Sequence, residues 1–258
     1  MKFRILALLM TLVLICGIGL LTSCNNKTTE EIVVEEIEKI IASQNVEGNT
    51  SLVVSGSLDG EGVTLSDSFK FQVNGNNTEN EVYLATGNFS GNKISVFKES
   101  NYYYIEYLKN RVKVESDEDS DKIYGLYQQS KNIIKPLDFS KVFEYKIEDR
   151  ENGDKIITVQ FRPADFRVLY KSHVAYAMGI EESKVEKDLV FTDCYLVITL
   201  RPDHTIFSYQ ISYTSIENTY YGDVHVRVSA QNIYTAYGKK AEVVITPPEN
   251  YLDFDEIE

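Results

Sequence analysis

The sequence predicts an α+β fold: a large curled antiparallel sheet of about ten strands forms a half-barrel, with helices packed on its concave face. Apolar and polar side chains alternate over most of residues 52–115, 142–162 and 189–246, as they do in half-buried strands. Three other stretches repeat apolar residues with the period of a helix. Because a twisted sheet of this size tends to curl, helices on its concave side would bury both apolar surfaces.

The helical stretches lie in three places. Residues 30–44 combine a stripe of valine and isoleucine with acidic side chains elsewhere. A second helix is predicted over 120–134, with Ser120 as a possible N-cap. The third begins at Pro163 and ends at Gly179, which are residue types favoured at the start and just past the end of a helix.

Turn-forming sequences such as Asn74-Gly75-Asn76-Asn77 and Glu151-Asn152-Gly153-Asp154 separate the predicted strands. Because neighbouring strands are joined by short connections, we expect an antiparallel meander. It forms a single domain over residues 30–251, followed by an acidic tail over 252–258. The predicted strands lie near 63–73, 81–87, 92–97, 102–108, 111–115, 142–149, 155–162, 189–201, 205–214, 223–234 and 241–246.

The N-terminus has the layout of a secretory signal, with Lys2 and Arg4 before an apolar run from Ile5 to Leu21. The run ends in Leu21-Thr22-Ser23-Cys24, which resembles a bacterial lipobox. This resemblance implies that residues 1–23 are a lipoprotein signal peptide, that Cys24 is the lipidation site and carries acyl chains such as palmitate, and that residues 24–29 hold a short linker. We therefore expect a lipid anchor on the extracytoplasmic face of the cell membrane. The alternative is an uncleaved anchor, or ordinary secretion with a chance cysteine.

Charge and composition exclude several classes of protein. The chain of 258 residues has a formal charge of −13, which argues against a nucleic-acid binder, since such a protein needs a basic face. Removing the two positive charges of the signal from −13 leaves −15, which anionic lipids should repel. We therefore expect the acidity to serve solubility and spacing, while the lipid on Cys24 holds the protein at the membrane. A hydrophobic content of 43% excludes a disordered chain.

Metal-binding spacings are incomplete. Residues 117–121 have the D-x-D-x-D start of a calcium loop, but Lys122 replaces its glycine and Gln128 its final glutamate. A solvated acidic turn before a helix is therefore the favoured interpretation. The histidines are scattered without zinc-binding spacing, and we predict no metal and no cofactor. The histidines are His173, His204 and His225.

Catalytic signatures are also missing from the sequence, which contains no G-x-S-x-G, S-x-x-K or P-loop element. His173 lies on the apolar stripe of its helix, where a hydrogen-bonded core or cavity-mouth histidine is the ordinary case. Cys194 shares a strand face with Leu196 and Ile198, so we expect a buried small hydrophobe rather than a nucleophile. We predict that the protein is not an enzyme and has no catalytic residues.

Tyrosine is abundant, and clusters occur at Tyr102-Tyr103-Tyr104 with Tyr107, and at Tyr220-Tyr221. Such clusters could form a stacking platform or the wall of a cavity. The favoured interpretation is that tyrosine suits strands with one wet and one dry end.

The order of elements resembles that of the LolA/LprG-like lipoproteins over roughly residues 30–251. The segment 195–205 looks like their strand–turn–strand, and residues 244–251 are similar to their closing strand and Pro-Glu tail. The resemblance implies an incomplete barrel around helices, with an apolar cavity for acyl chains. The chain has no Trp, and Met178 is its one methionine after Cys24, which argues against a large cavity. By position alone, the predicted cavity lining is Phe69, Phe71, Phe166, Leu169, Val174 and Met178.

The functional hypothesis is a membrane-anchored lipoprotein that binds a lipid, acyl chain or other amphiphile in its half-barrel. The alternative is a structural or interaction lipoprotein of the cell envelope, whose half-barrel is filled by its own side chains.

Overall fold

The structure is a computed structural model that describes residues 27–58, 61–117, 120–121, 124–187, 189–219 and 222–256. The predicted signal peptide, Cys24, residues 118–119 and 122–123 of the calcium-like sequence, and the pair Tyr220-Tyr221 lie outside the described residues. Backbone contacts divide the chain into residues 1–32 and 33–258.

The first helix, α1, spans Thr29–Ile41. It begins with a capping box, in which the Thr28 backbone N–H donates to Glu31 Oε2 at 2.8 Å and the Glu31 N–H donates to Thr28 Oγ1 at 3.2 Å. Later in the helix, Val33 and Ile37 are fully buried, as the apolar stripe predicts.

The described strands form one sheet in the order β12-β6-β5-β4-β3-β2-β1-β11-β10-β9-β8-β7. All neighbours are antiparallel except β12 and β6, so the predicted meander is confirmed. The strands are β1 (Val46–Leu58), β2 (Glu61–Asn74), β3 (Val82–Phe89), β4 (Asn92–Glu99), β5 (Tyr102–Tyr107), β6 (Asn110–Glu115), β7 (Glu144–Asp149), β8 (Lys155–Gln160), β9 (Leu189–Leu200), β10 (Ile206–Thr219), β11 (Gly222–Ala236) and β12 (Asp255–Glu256).

Three further helices are α2 (Leu126–Ile133), α3 (Pro163–Met178) and α4 (Glu182–Lys187). Helix α3 has the predicted ends, with proline in its first turn and Gly179 in the left-handed conformation (φ 64°) as its C-cap. The helix predicted over 120–134 is interrupted: the described residues 120, 121 and 124 are helical, but Gly125 has non-helical backbone angles and is the N-cap of α2. Helix α4 was not predicted.

Helices α2 and α3 pack on one face of the sheet, which we call the inner face. The Tyr127 ring of α2 lies with its centroid 5.5 Å from that of Phe71 on β2. The Phe166 ring of α3 lies 5.1 Å from Tyr213 on β10. The expected α+β half-barrel with helices on its concave face is therefore confirmed. None of the helices in the described part of the chain is long and apolar enough to cross a bilayer.

Strand β9 contains a bulge at Asp193, which has a left-handed backbone (φ 53°) and coincides with a shift of the β9–β10 register. One extra residue reverses the side on which the following side chains lie. Phe191 before the bulge and Cys194 after it are therefore both buried. The predicted shared face of Cys194 with Leu196 and Ile198 is confirmed.

Residues 243–256, which we call the strap, cross the outer face of strands β3–β6. The Tyr251 ring contacts the rings of Phe97 and Tyr104, with centroids 5.0 and 4.8 Å apart. Phe254 is buried in the same cluster, and β12 adds to the edge of β6. The predicted strand over 241–246 is wrong, because this segment crosses the sheet and bonds to it through the side chains of Asn45 and Gln72.

Candidate functional site

A cavity of about 330 Å³ lies between the inner face of strands β3–β6 and the chain at the start of α2. Its strand residues alternate with outward-facing ones, so every strand contributes the apolar side of its pleat. None of the lining side chains is charged. The cavity is lined by Phe89, Ile94, Ile105, Tyr107, Asn110, Val112, Tyr124 and Leu126.

The cavity is apolar at its base and polar at one end. Ile94, Ile105 and Leu126 are buried and form the base. Asn110 is exposed at the end of the sheet, beside the half-buried Tyr107. The Tyr107 hydroxyl accepts a hydrogen bond from Asn92 Nδ2 at 3.4 Å. An apolar pocket with a few uncharged polar groups at its rim suits the chain of an amphiphile.

Two buried tyrosines of the sheet form hydrogen bonds with the segment just before α2, which covers the cavity. The Tyr83 hydroxyl donates to the backbone carbonyl of Tyr124 at 2.8 Å. The Tyr103 hydroxyl donates to Asp121 Oδ1 at 2.7 Å. Burial, and for Tyr103 also the Asp121 carboxylate, raises the pKa of both phenols, so both stay protonated donors at neutral pH. These bonds fix Tyr124 over the inner face.

The six residues predicted to line a cavity lie elsewhere. Phe71 packs against Tyr127 and Tyr234, and Phe166 packs within a group of rings between α3 and the sheet. None of the six belongs to the lining of the 330 Å³ cavity, and ligand contact by any of them stays a prediction. Phe69, Phe71, Phe166 and Val174 are buried, while Leu169 and Met178 are half-buried.

Leu169 lines a second cavity, of about 400 Å³, between α3 and residues 136–142. Its wall includes charged Asp138, Lys141 and Asp165 beside Leu137. Lys141 pairs with Asp138 at 3.0 Å. Because charged groups line this space, it suits an acyl chain less well than the uncharged cavity over β3–β6.

His173 is fully buried on α3, with its ring centroid 6.2 Å from that of Tyr213. Within the described residues neither ring nitrogen has a hydrogen-bond partner, so the predicted hydrogen-bonded state is not found. Burial, with a smaller effect of Lys135, lowers the pKa of His173 to about 3, so the ring is neutral at pH 7. Burial also raises the pKa of the Cys194 thiol to about 12, which leaves no thiolate at neutral pH.

The acidic segment before α2 forms a hydrogen-bonded turn. The Ser120 N–H donates to Asp117 Oδ1 at 2.7 Å, and the Asp117 N–H donates to Ser120 Oγ at 2.8 Å. Asp117, rather than Ser120, therefore caps the helical turn at residues 120–121, while α2 itself has Gly125 as its N-cap. Among the described residues, no three His, Cys, Asp or Glu side chains gather as a metal site would require.

The sequence contains a signal for the cavity at the turns between its strands. Phe89, Ile94, Tyr107 and Asn110 lie beside two short turns, Ser90-Gly91 and Leu108-Lys109, which connect β3 to β4 and β5 to β6. Both turns are at the same end of the sheet. Apolar inner-face residues that reach such an end, beyond the full cover of a helix, are candidates for a cavity wall.

The fold and cavity define a class, an open half-barrel with helices and an apolar pocket on its inner face. No protein-family model and no curated protein sequence matches the chain. Among solved structures, it is similar to LprF from Mycobacterium bovis, with 13% identity over 84% of this chain and 96% of that chain and a TM-score of 0.39.

Two other solved structures show lower scores. A DUF1329 family protein from Desulfovibrio piger is 12% identical over 83% of this chain and 92% of its own, with a TM-score of 0.26. A LolA superfamily protein from Nitrosomonas europaea is 8% identical over 86% of this chain and 96% of its own, also with a TM-score of 0.26. These similarities concern the fold alone.

Proposed function

We propose that this protein is a membrane-anchored, extracytoplasmic lipoprotein that holds the apolar chain of a lipid or other amphiphile in its half-barrel. The observation that carries the proposal is the uncharged cavity over β3–β6, with its base of isoleucine and leucine. Binding would be driven by burial, at about 0.8 kcal/mol for each methylene group removed from water.

The size of the cavity limits the ligand. About 330 Å³ is near the lower end of the roughly 300–1,000 Å³ typical of small-molecule pockets. One acyl chain is therefore a better fit than a lipid with several chains. The modest size agrees with the scarcity of large adaptable residues noted in the sequence.

The lipobox supports the anchoring part of the proposal. Two acyl chains hold a protein at a bilayer, whereas a single chain does so only reversibly. Replacing Cys24→Ser should leave the protein unprocessed or release it from membranes, as fractionation would show. Unchanged processing and membrane association would contradict the lipidation of Cys24.

Cavity filling tests the binding part of the proposal. Val112→Phe places a ring in the cavity and should abolish binding of a fluorescent fatty-acid analogue, without loss of thermal stability. Val114→Phe is the matched control, because Val114 is the next inward-facing residue of β6 and is absent from the lining. Equal probe binding by the wild type and both variants would exclude this cavity as the site.

A structural or interaction lipoprotein with no ligand is the second candidate. The aromatic rings of α3 favour this candidate, because they fill the space between α3 and the inner face of the sheet. Wild-type protein that neither binds the probe nor releases lipid on solvent extraction would support this candidate.

A further inference from the structure

We propose that one end of the sheet is a docking surface for an anionic lipid bilayer. This surface, which we call the tip, consists of residues 90–93 and 108–109, the β3–β4 and β5–β6 turns with the start of β4. It combines a strained, exposed leucine with two lysines that form no ion pair with any described residue, and it adjoins the rim of the apolar cavity.

The first observation is the backbone of the β5–β6 turn. Leu108 and Lys109 form a two-residue connection between the paired residues Tyr107 and Asn110, and their φ angles are 50° and 70°. A turn with positive φ at both positions strongly prefers Asn-Gly, since side chains with a Cβ are disfavoured there. Leu108 is nevertheless 58% exposed. A bulky apolar residue held in a disfavoured conformation and mostly facing water is unfavourable for the fold, which points to a function.

The neighbouring turn provides the contrast. Ser90 and Gly91 also have positive φ angles, of 48° and 80°, and glycine occupies the second position as the turn prefers. The two turns lie at the same end of the sheet, so the unfavourable pair is specific to the turn that carries leucine and lysine.

The second observation is charge. Lys93 and Lys109 both line an open groove of about 640 Å³ on the outer side of these strand ends. Within the described part of the chain, neither ammonium group takes part in an ion pair. Glu106 lies in the same groove but pairs with Arg111, with Nη2 and Oε1 3.3 Å apart. The Asp67 carboxylate also reaches the tip, where it accepts a hydrogen bond from the Ser90 N–H at 2.8 Å. The tip therefore has two lysines without an ion-pair partner against this one further carboxylate, in a chain whose formal charge is −13.

Charge and apolar exposure together favour a bilayer over an acidic protein. Basic side chains near an anionic membrane surface each contribute to attraction within a Debye length. A leucine beside them can insert at the boundary between headgroups and acyl chains, as in interfacial anchors. The net repulsion expected from the whole chain is then reversed locally, which would orient the molecule.

The orientation has a consequence for the cavity. Tyr107 and Asn110 flank the turn and line the cavity, and Ile94 in the cavity follows Lys93 in the groove. Docking of the tip would therefore bring the cavity rim to the lipid surface. This consequence rests on the proposed function, but docking itself requires no ligand.

Because the chain contains no tryptophan, a tryptophan introduced by substitution reports on one position alone. In full-chain protein, Leu108→Trp introduces a single fluorophore at the tip, and Val168→Trp introduces one on α3 at a site that is 80% exposed. With vesicles containing anionic and brominated lipids, we expect a blue shift and strong quenching for Leu108→Trp only. Zwitterionic vesicles or raised salt should remove the difference. Equal quenching at both sites, or the same result on zwitterionic vesicles, would overturn the proposal.

Charge variants sharpen the test. Each lysine at an anionic surface changes partitioning about fivefold, so Lys93→Gln with Lys109→Gln in the Leu108→Trp protein should weaken tip insertion about 30-fold. The matched control is Lys239→Gln with Lys240→Gln, since both of these lysines are exposed elsewhere. If both pairs of substitutions weakened vesicle insertion equally, the two lysines of the tip would have no specific role in docking.

A turn variant separates docking from folding. Leu108→Asn with Lys109→Gly installs the preferred turn residues, so we expect unchanged or higher thermal stability. Insertion cannot be read by fluorescence in this variant, so protection of the neighbouring amides by anionic vesicles is measured by hydrogen exchange. Protection equal to that of the wild type would overturn the role of Leu108. Fatty-acid probe binding in solution should remain unchanged, which distinguishes this result from a failure of the cavity proposal.

Discussion

Two parts of the inner face of the sheet are covered differently. Under α3, the rings of Phe161, Phe166, Tyr170, Phe191 and Tyr213 form one group, which we call the aromatic cluster. Over β3–β6 the inner face is equally apolar, but a cavity of about 330 Å³ remains. The cover consists of 16 residues in α3 and only eight in α2. The shorter cover leaves space that the sheet alone cannot fill.

The outer face of strands β3–β6 has a cover of its own. Strands β3–β6, which border the cavity, are covered outside by the strap, where Arg111 lies 5.7 Å from the Phe254 ring centre. Packing contacts that are missing on the inner side are thus partly replaced by contacts on the outer side. The cavity region is therefore covered on both faces, by the short helix α2 inside and by the strap outside.

The largest effect should come from emptying the filled region. Phe166 is fully buried and lies at the centre of the aromatic cluster, so Phe166→Ala should lower the free energy of unfolding by about 3–5 kcal/mol. Ile105→Ala, beside the existing cavity, should cost only about 2 kcal/mol, at the low end for such changes. Chemical denaturation measures both. A larger loss for Ile105→Ala would contradict the difference in packing between the two regions.

The next effect concerns pH. Burial lowers the pKa of His173 from 6.5 to about 3. Between these two pH values the His173 ring is therefore protonated in the unfolded chain but neutral in the folded chain. Stability is therefore lost as pH falls from 6.5 towards 3. This residue alone should contribute a loss of about 3 kcal/mol between pH 7 and pH 4.

His173→Leu measures that contribution, since its loss of stability on acidification should be smaller by this amount in denaturation at both pH values. His225→Leu is the control at an exposed histidine. Identical pH dependence in the wild type and His173→Leu would show that His173 is not buried as a neutral ring.

The smallest effect should come from the strap. Phe254→Ala removes a ring buried against Tyr104 and should cost about 2 kcal/mol, below the usual range for a deep core because one side of the strap faces water. Hydrogen exchange should quicken in β5 and β6 but not in β9 and β10. Leu252→Ala, at an exposed strap residue, should change neither. Uniform quickening throughout the sheet would mean that the two regions unfold as one.

Local chemistry was sufficient to predict much of the fold. The proline and glycine that bound α3 have strong backbone preferences, and alternation located most strands because each needs one buried side. The bulge at Asp193 was missed, since a single extra residue leaves both flanking patterns intact. Helix α4 was missed because six residues are too few to show a helical period.

The candidate site was harder to predict because alternation gives the side of a residue but not what covers it. Leu65 shares the inner face with Phe69 and Phe71, yet it is 55% exposed while they are buried. The burial of an inner-face side chain depends on how far the helices extend over the sheet, which is a property of the tertiary structure. Alternation in the sequence is therefore not sufficient to identify the residues that line the cavity.

The strap also determines when the cavity region can be completed. Tyr251 donates to Glu99 across 152 residues of sequence, at 2.8 Å. Contacts between such distant residues slow folding, because a long loop must close before they form. As the chain emerges from N to C terminus, Phe97 and Tyr104 stay uncovered until residues 251–254 have been made. A nascent chain that lacks the strap consequently presents these aromatics to chaperones and proteases, and a chain that includes the strap hides them.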